Sequence, residues 1–275
     1  MTNYKLLLSY DGTRYSGWQK QGNTDNTIQA KLEQTLERLL GEPIEIHGSG
    51  RTDAGVHALG QVANFKTTLT KEPEEIQEYL NTYLPLDIRI LSVETAPDRF
   101  HARLNAVGKH YQYRIDNGAV ANVFARKYVA RFTEKDYFFR KWTDLCKSQK
   151  RTIPGGAPLR NEQLPYDIAA MKRAAALLVG EHDFRSFCDN KRMKKSTVRT
   201  ITKIDIKEVD GILTLDFYGN GFLYHMVRIL TGTLLEIGIG CLAPEDIPTI
   251  LEQKNREAAG FTAPSQGLFL TDVFY

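Results

Sequence analysis

Apolar residues recur along this chain with two different periods, and the switches between them outline its elements. Residues 5–10 form a short apolar run that stops at Asp11-Gly12, the pattern of a buried strand entering a turn. Ile28, Leu32, Leu36 and Leu39/Leu40 then follow helical spacing. Asn26 with Gln29 three residues later reads as a capping box, and Gly41 sits where a left-handed C-cap belongs. Residues 44–47 and 61–66 predict two strands around a glycine-rich stretch. A second amphipathic helix is expected over Pro73–Tyr83, with Ile76, Tyr79, Leu80 and Tyr83 on one side and Pro85 closing it; a strand follows at 88–93. Period two returns where Tyr111, Tyr113 and Ile115 share one face and His110, Gln112 and Arg114 the other.

The second half repeats the mixture of helices and strands without an internal repeat. Asp167 caps a helix through Met171, Ala174, Ala175 and Leu178 to Gly180. Residues 201–209 and 212–218 flank Asp210-Gly211, a two-residue link that predicts a hairpin. Phe222, Met226, Ile229, Leu230, Thr233 and Ile237 keep helical spacing, so a helix is expected over 222–237. A short helix begins at Pro244, and a last strand covers 267–274. Organisation weakens over 140–166, where Pro154-Gly155-Gly156-Ala157-Pro158 is surrounded by Arg140, Lys141, Lys147, Lys150, Arg151 and Arg160; we expect an exposed insertion there.

Composition narrows the class. The 275 residues, 42% hydrophobic and 25% charged, suit a soluble globular protein of one large domain or two intimate ones. No run approaches the roughly 18 to 20 apolar residues of a membrane span, and the N-terminus has no leader-like apolar region, which makes the cytoplasm the expected location. Cys146, Cys188 and Cys241 are far apart, with no Cys-x-x-Cys spacing, so neither a disulfide framework nor a zinc site is indicated. A net charge of +3 favours an anionic partner only weakly. Its distribution adds weight: basic runs surround the expected insertion and recur at Lys191-Arg192-Met193-Lys194-Lys195.

Candidate chemistry concentrates at Gly48-Ser49-Gly50-Arg51-Thr52-Asp53-Ala54-Gly55-Val56-His57-Ala58, where glycines frame an acid, a base and a guanidinium. An Asx turn joining two strands explains the same residues without any chemistry. Upstream, the loop 10–21 interleaves Arg14, Tyr15, Trp18, Gln19 and Lys20. That pattern suits contacts to bases and phosphates, and equally suits aromatic anchoring of a long loop on the core. Tyr111 and Tyr113 are either core tyrosines or the lining of a cleft. Arg228, alone on an apolar helix, needs a carboxylate partner or a route to solvent. A metal site of His47, Asp53 and His57 and a noncatalytic RNA-binding module are the competing readings.

Several of these segments together resemble the TruA-type tRNA pseudouridine synthase family. They are Tyr10-Asp11-Gly12-Thr13 with Gly17-Trp18-Gln19, Gly50 to Ala58, Phe100-His101-Ala102-Arg103 with Tyr111-Gln112-Tyr113, and His225-Met226-Val227-Arg228. The resemblance implies an α+β fold of two ferredoxin-like halves joined into one mostly antiparallel sheet, with flanking helices and a basic central cleft. The halves would be 1–105 and 106–275, the latter with the insertion at about 140–165. It implies a homodimer, no metal and no organic cofactor, acting on tRNA in the anticodon stem-loop. By match of motif, Asp53 is the catalytic aspartate, Tyr111 stacks on the target base and takes its C5 proton, and Arg228 pairs with Asp53. Arg51, Arg103, Arg14, Gln19 and His57 are expected to hold RNA. The link between Val123 and Ala169, longer than usual in that family, and Lys109-His110 in place of a more arginine-rich pair leave the choice of uridines and RNAs open.

Overall fold

A computed structural model describes residues 1–132, 166–190 and 192–275. The expected insertion, with its proline-glycine loop, its basic residues and Cys146, lies outside the described residues, as does Lys191. The chain divides into two compact units, Met1–His110 with Phe269–Tyr275, and Tyr111–Leu268. The described residues form an α+β protein whose strands pair mostly antiparallel.

In the first unit, β1 (Thr2–Tyr10), β2 (Ile46–Gly48), β3 (His57–Thr67) and β4 (Ile88–Ala96) pair antiparallel in the order β4-β1-β3, with β2 also on β3. The last strand of the chain, β9 (Leu268–Phe274), runs parallel to the start of β3, with His57 opposite Phe269. Alternation in β1 buries Tyr4, Leu6, Leu8 and Tyr10 on one face. Helix α1 (Ile28–Leu40) covers the core with Ile28, Leu32, Leu36 and Leu40, and α2 (Pro73–Tyr83) adds Ile76 and Leu80.

Two expectations change here. The N-cap of α1 is Thr27, whose side chain accepts from Ala30 N at 3.2 Å; Asn26 instead donates to Arg14 O, and Gln29 is buried. Strand β3 starts four residues before the expected 61. Its period was masked because His57, Gln61 and Asn64 are polar and buried, and each is satisfied by hydrogen bonds that pattern alone does not reveal.

In the second unit, β5 (Gly108–Asp116) enters at Tyr111, and the strand order is β5-β8-β7-β6, with β6 (Gly180–Asp183), β7 (Val198–Val209) and β8 (Ile212–Gly219). β7 and β8 form the expected hairpin. Asp210 and Gly211 both take positive φ, 52° and 74°, which matches a type I′ turn. Asp167 caps α3 (Ile168–Leu178) by accepting from Ala170 N at 2.8 Å. Helix α4 (Met226–Gly238) is almost wholly buried, and α5 (Asp246–Gln253) follows Pro244. α4 begins four residues later than the expected 222 because His225 takes φ 61°, which breaks the helix and leaves Phe222 outside it. Among the described residues no helix is long and apolar enough to cross a membrane.

Candidate active site

The loop from Ser49 to Val56 connects β2 to β3, and a second loop, following β1, clamps it in place. Gly12 and Gly17 let the two backbones meet. A Cβ on Gly12 would fall 1.9 Å from Val56 O, and one on Gly17, at φ 93°, would fall 2.6 Å from Thr52 O. Trp18 N donates to Thr52 O at 3.0 Å, and the Tyr10 and Thr52 hydroxyls bond at 2.8 Å in a buried setting. Burial holds the Tyr10 hydroxyl well above its ordinary pKa, so it stays neutral in this structural bond. On the other side Ser49 Oγ donates to Gln61 Oε1 at 2.6 Å, Gln61 Nε2 donates to Gly50 O at 3.0 Å, and Lys109 Nζ donates to Ser49 O at 2.8 Å.

Asp53 sits between these clamps. Its carbonyl accepts from Val56 N at 3.1 Å, closing a four-residue turn in which Gly55 takes φ 77°. The residue itself is partly exposed, so its carboxylate is neither packed into the core nor on a free tip. The bond that closes this turn runs from Val56 N to the Asp53 backbone carbonyl, which makes it a backbone turn.

The neighbouring candidates divide by exposure. Arg51 is exposed and donates from Nε to Gln19 Oε1 at 3.0 Å; Gln19 Nε2 donates to Gln29 Oε1 at 2.7 Å, and Gln29 Nε2 to the buried Glu33 at 2.8 Å. A buried carboxylate on α1 thus orients an exposed guanidinium through two amides. Arg103 is exposed on a turn where its backbone N donates to His101 Nδ1 at 3.1 Å, and His101 stacks on His47 at 4.8 Å. Burial, then the nearby His47, lowers the His101 pKa, which favours the neutral, accepting ring. Arg14 is exposed and paired with Asp87, which also accepts from the Tyr15 hydroxyl. Tyr15 and Trp18 are buried and anchor their loop. His57 is 1% exposed, accepts from Gly12 N at 3.1 Å, lies 3.2 Å from Asp11 and stacks on Phe269. Its ring thus ties the start of β3 to the loop after β1. Among the described residues no group of three or more His, Cys, Asp or Glu is arranged to hold a metal ion.

Tyr111, Tyr113 and Arg228 belong to the second unit. Both tyrosines are buried, at 8% and 0% exposure. They differ in partners. The Tyr113 hydroxyl donates to Pro264 O at 2.8 Å in a core setting, whereas the Tyr111 ring meets Phe222 edge-on at 5.2 Å. Arg228, on the first turn of α4, is partly exposed and donates from Nε to Ala263 O at 2.6 Å. The clamp residues Tyr10, Asp11, Gly12 and Gly17 were not foreseen as such. Asp11-Gly12 carried a turn signal, but nothing in the sequence said what the turn would press against.

The described geometry is thus a half-buried carboxylate on a clamped turn, with Arg51 and Arg103 exposed on the same unit. Comparison with known proteins supplies the family. The model described as tRNA pseudouridine synthase matches residues 7–105 and 174–275, which contain Asp53 and Arg228, with Tyr111 in the interval between them. A protein named tRNA pseudouridine synthase A from Bacillus sp. (strain KSM-64) is 44% identical over 275 residues, covering 100% of each chain. Similar proteins come from Bacillus cereus, 42% identical over 273 residues with 99% of each chain covered, and Clostridium tetani, 42% identical over 275 residues with 100% of each covered. The chain belongs to the tRNA pseudouridine synthase family, and it is an enzyme of that class.

Proposed function

We propose that this protein converts uridine to pseudouridine in the anticodon stem-loop of tRNA, with Asp53 as the reacting carboxylate, and that two copies of the chain form the acting unit. The reaction breaks the bond from N1 to C1′, turns the uracil and joins C5 to C1′; the C5 proton leaves and N1 gains one, so no redox partner is consumed. Two routes begin from the carboxylate, attack on C1′ and removal of the C2′ proton, and both require it ionised. Arg228 is the cation that keeps it so once RNA excludes water. Tyr111 stacks on the uracil and accepts the C5 proton. The target nucleotide must leave its stack to reach Asp53, at a cost of a few kcal/mol offset by phosphate contacts. Arg51 and Arg103, exposed on the same unit as Asp53, are the contacts assigned to that task.

The observation that carries this reading is the clamped turn, since carboxylate chemistry on a flipped base demands a group held still before the substrate arrives. The test is incubation of wild type and Asp53→Asn with unmodified tRNA, followed by mapping of new pseudouridines and measurement of tRNA binding. Product in the anticodon stem-loop is expected from wild type. The variant should lose at least about 10³-fold in rate while still binding tRNA. Product formation by the variant refutes the role of Asp53, and product only at other sites refutes the substrate assignment.

A further inference from the structure

The reading of Arg228 above raises the question of what aims its guanidinium. Two elements grip it. One is the first turn of α4, of which it is part. The other is the extended segment 260–264, whose Ala263 carbonyl accepts from Arg228 Nε at 2.6 Å and whose Ala263 N donates back to Arg228 O at 3.1 Å. The segment lies directly on the helix: a Cβ on Gly232 would fall 1.9 Å from Phe261 O, and one on Gly260 would fall 2.6 Å from Thr233 Cα. Farther along, Gly260 N donates to Thr233 Oγ1 at 2.9 Å and Phe261 N to Glu236 Oε1 at 3.0 Å. The N-terminal end of α4, where Arg228 sits, has no side-chain cap of its own.

One carboxylate is tied to both elements at that end. Asp189 accepts from His225 Nδ1 at 2.6 Å, and His225 is the residue immediately before α4. The same carboxylate accepts from Arg256 Nε at 2.6 Å and from Thr262 Oγ1, next to Ala263, at 3.2 Å. Arg256 also donates to Gly260 O and to Thr262 Oγ1, each at 2.9 Å. His225 holds φ 61°, a conformation that a non-glycine residue keeps only when its surroundings impose it, and its ring is fixed by Asp189 and by stacking on Tyr224 at 3.8 Å. Partial burial raises the Asp189 carboxyl, but the bonds from His225 and Arg256 outweigh burial and leave it below the ordinary range, so it is an anion at neutral pH.

We propose that Asp189 is a positioning residue for the reaction: through His225 on one side and Arg256 with Thr262 on the other, it sets the start of α4 against Ala263 and so aims the Arg228 guanidinium. It touches no substrate. This rests on the role given to Arg228, and the experiment separates the two. Pseudouridine formation by the full chain is measured as kcat and KM for wild type, Asp189→Asn, Arg228→Lys and the double variant, with Thr262→Val run through the same cycle. Asp189→Asn should lower kcat by roughly 10-fold with KM for tRNA within about twofold, and Thr262→Val should lower it by about threefold. In the Arg228→Lys background each should cost less than about twofold, because the group they aim is already gone. Losses that multiply fully in the double variants, or that fall on KM alone, overturn the proposal while leaving Arg228 its role. Full activity of Arg228→Lys instead overturns the reading of Arg228, and this inference with it. If Asp189→Asn does not fold, the milder Thr262→Val cycle decides on the same criteria.

Discussion

The Asp53 turn and the start of α4 each hold one candidate reacting group, and they hold it by different physics. Asp53 is held by backbone contact, with two glycines admitting a neighbouring loop and neutral hydrogen bonds from Trp18 N to Thr52 O and between the buried Tyr10 and Thr52 hydroxyls. Arg228 is held through a charged, partly exposed network of Asp189, His225 and Arg256. Neutral buried bonds are insensitive to pH and salt but fail sharply when a partner is removed or a volume added. Charged, partly exposed ties tolerate more and respond to conditions. One grip is stiff and the other adjustable.

Substitutions test that difference, beginning with the stiff grip. Gly12→Ala puts a methyl against the Val56 carbonyl that no side-chain movement relieves, so it should cost about 3 kcal/mol of stability and most of the activity. Gly41→Ala serves as the control. That glycine takes a positive φ, 69°, which Gly12 does not, but has open space around it, so the backbone strain alone should cost about 1 kcal/mol with activity unchanged, by thermal unfolding and initial rates. Equal effects from the two would mean that the clamp does not set the turn. Tyr10→Phe leaves the buried Thr52 hydroxyl without that partner and should cost about 1 to 2 kcal/mol, with the loss independent of salt.

The smallest expected effect concerns pH. Asp189 has a folded pKa below its unfolded one, so its contribution is fully present above the unfolded value, about 4, and is lost as pH falls through the folded value. The gap in unfolding temperature between wild type and Asp189→Asn should therefore stay constant from pH 7 to about 5 and narrow below about 4, with a shallower acid fall in the variant. An equal slope in both proteins would assign the acid sensitivity to other carboxylates.

Much of this organisation was legible in residue order. Strand β1, helices α1 and α2, the Asp210-Gly211 hairpin and the capped α3 follow from period, caps and turn chemistry, all of which act over a few residues. The misplaced boundaries have one cause. Asn26, His57 and His225 each take a role set by partners distant in sequence or by an imposed backbone angle, and local pattern carries no record of either.

The same division applies to the candidate site. By itself the sequence determined which residue types carry the chemistry: an acid framed by glycines, a tyrosine on a period-two strand and an arginine on an apolar helix, in an order that resembles one enzyme family. Only the tertiary structure decided how each is held. Gly12 and Gly17 are loop glycines until Val56 and Thr52 come to rest against them, and Asp189 is an ordinary aspartate until His225 and Arg256 arrive from 36 and 67 positions away. Residue type fixes what a group can do, while its orientation depends on contacts that exist only once the chain has closed on itself.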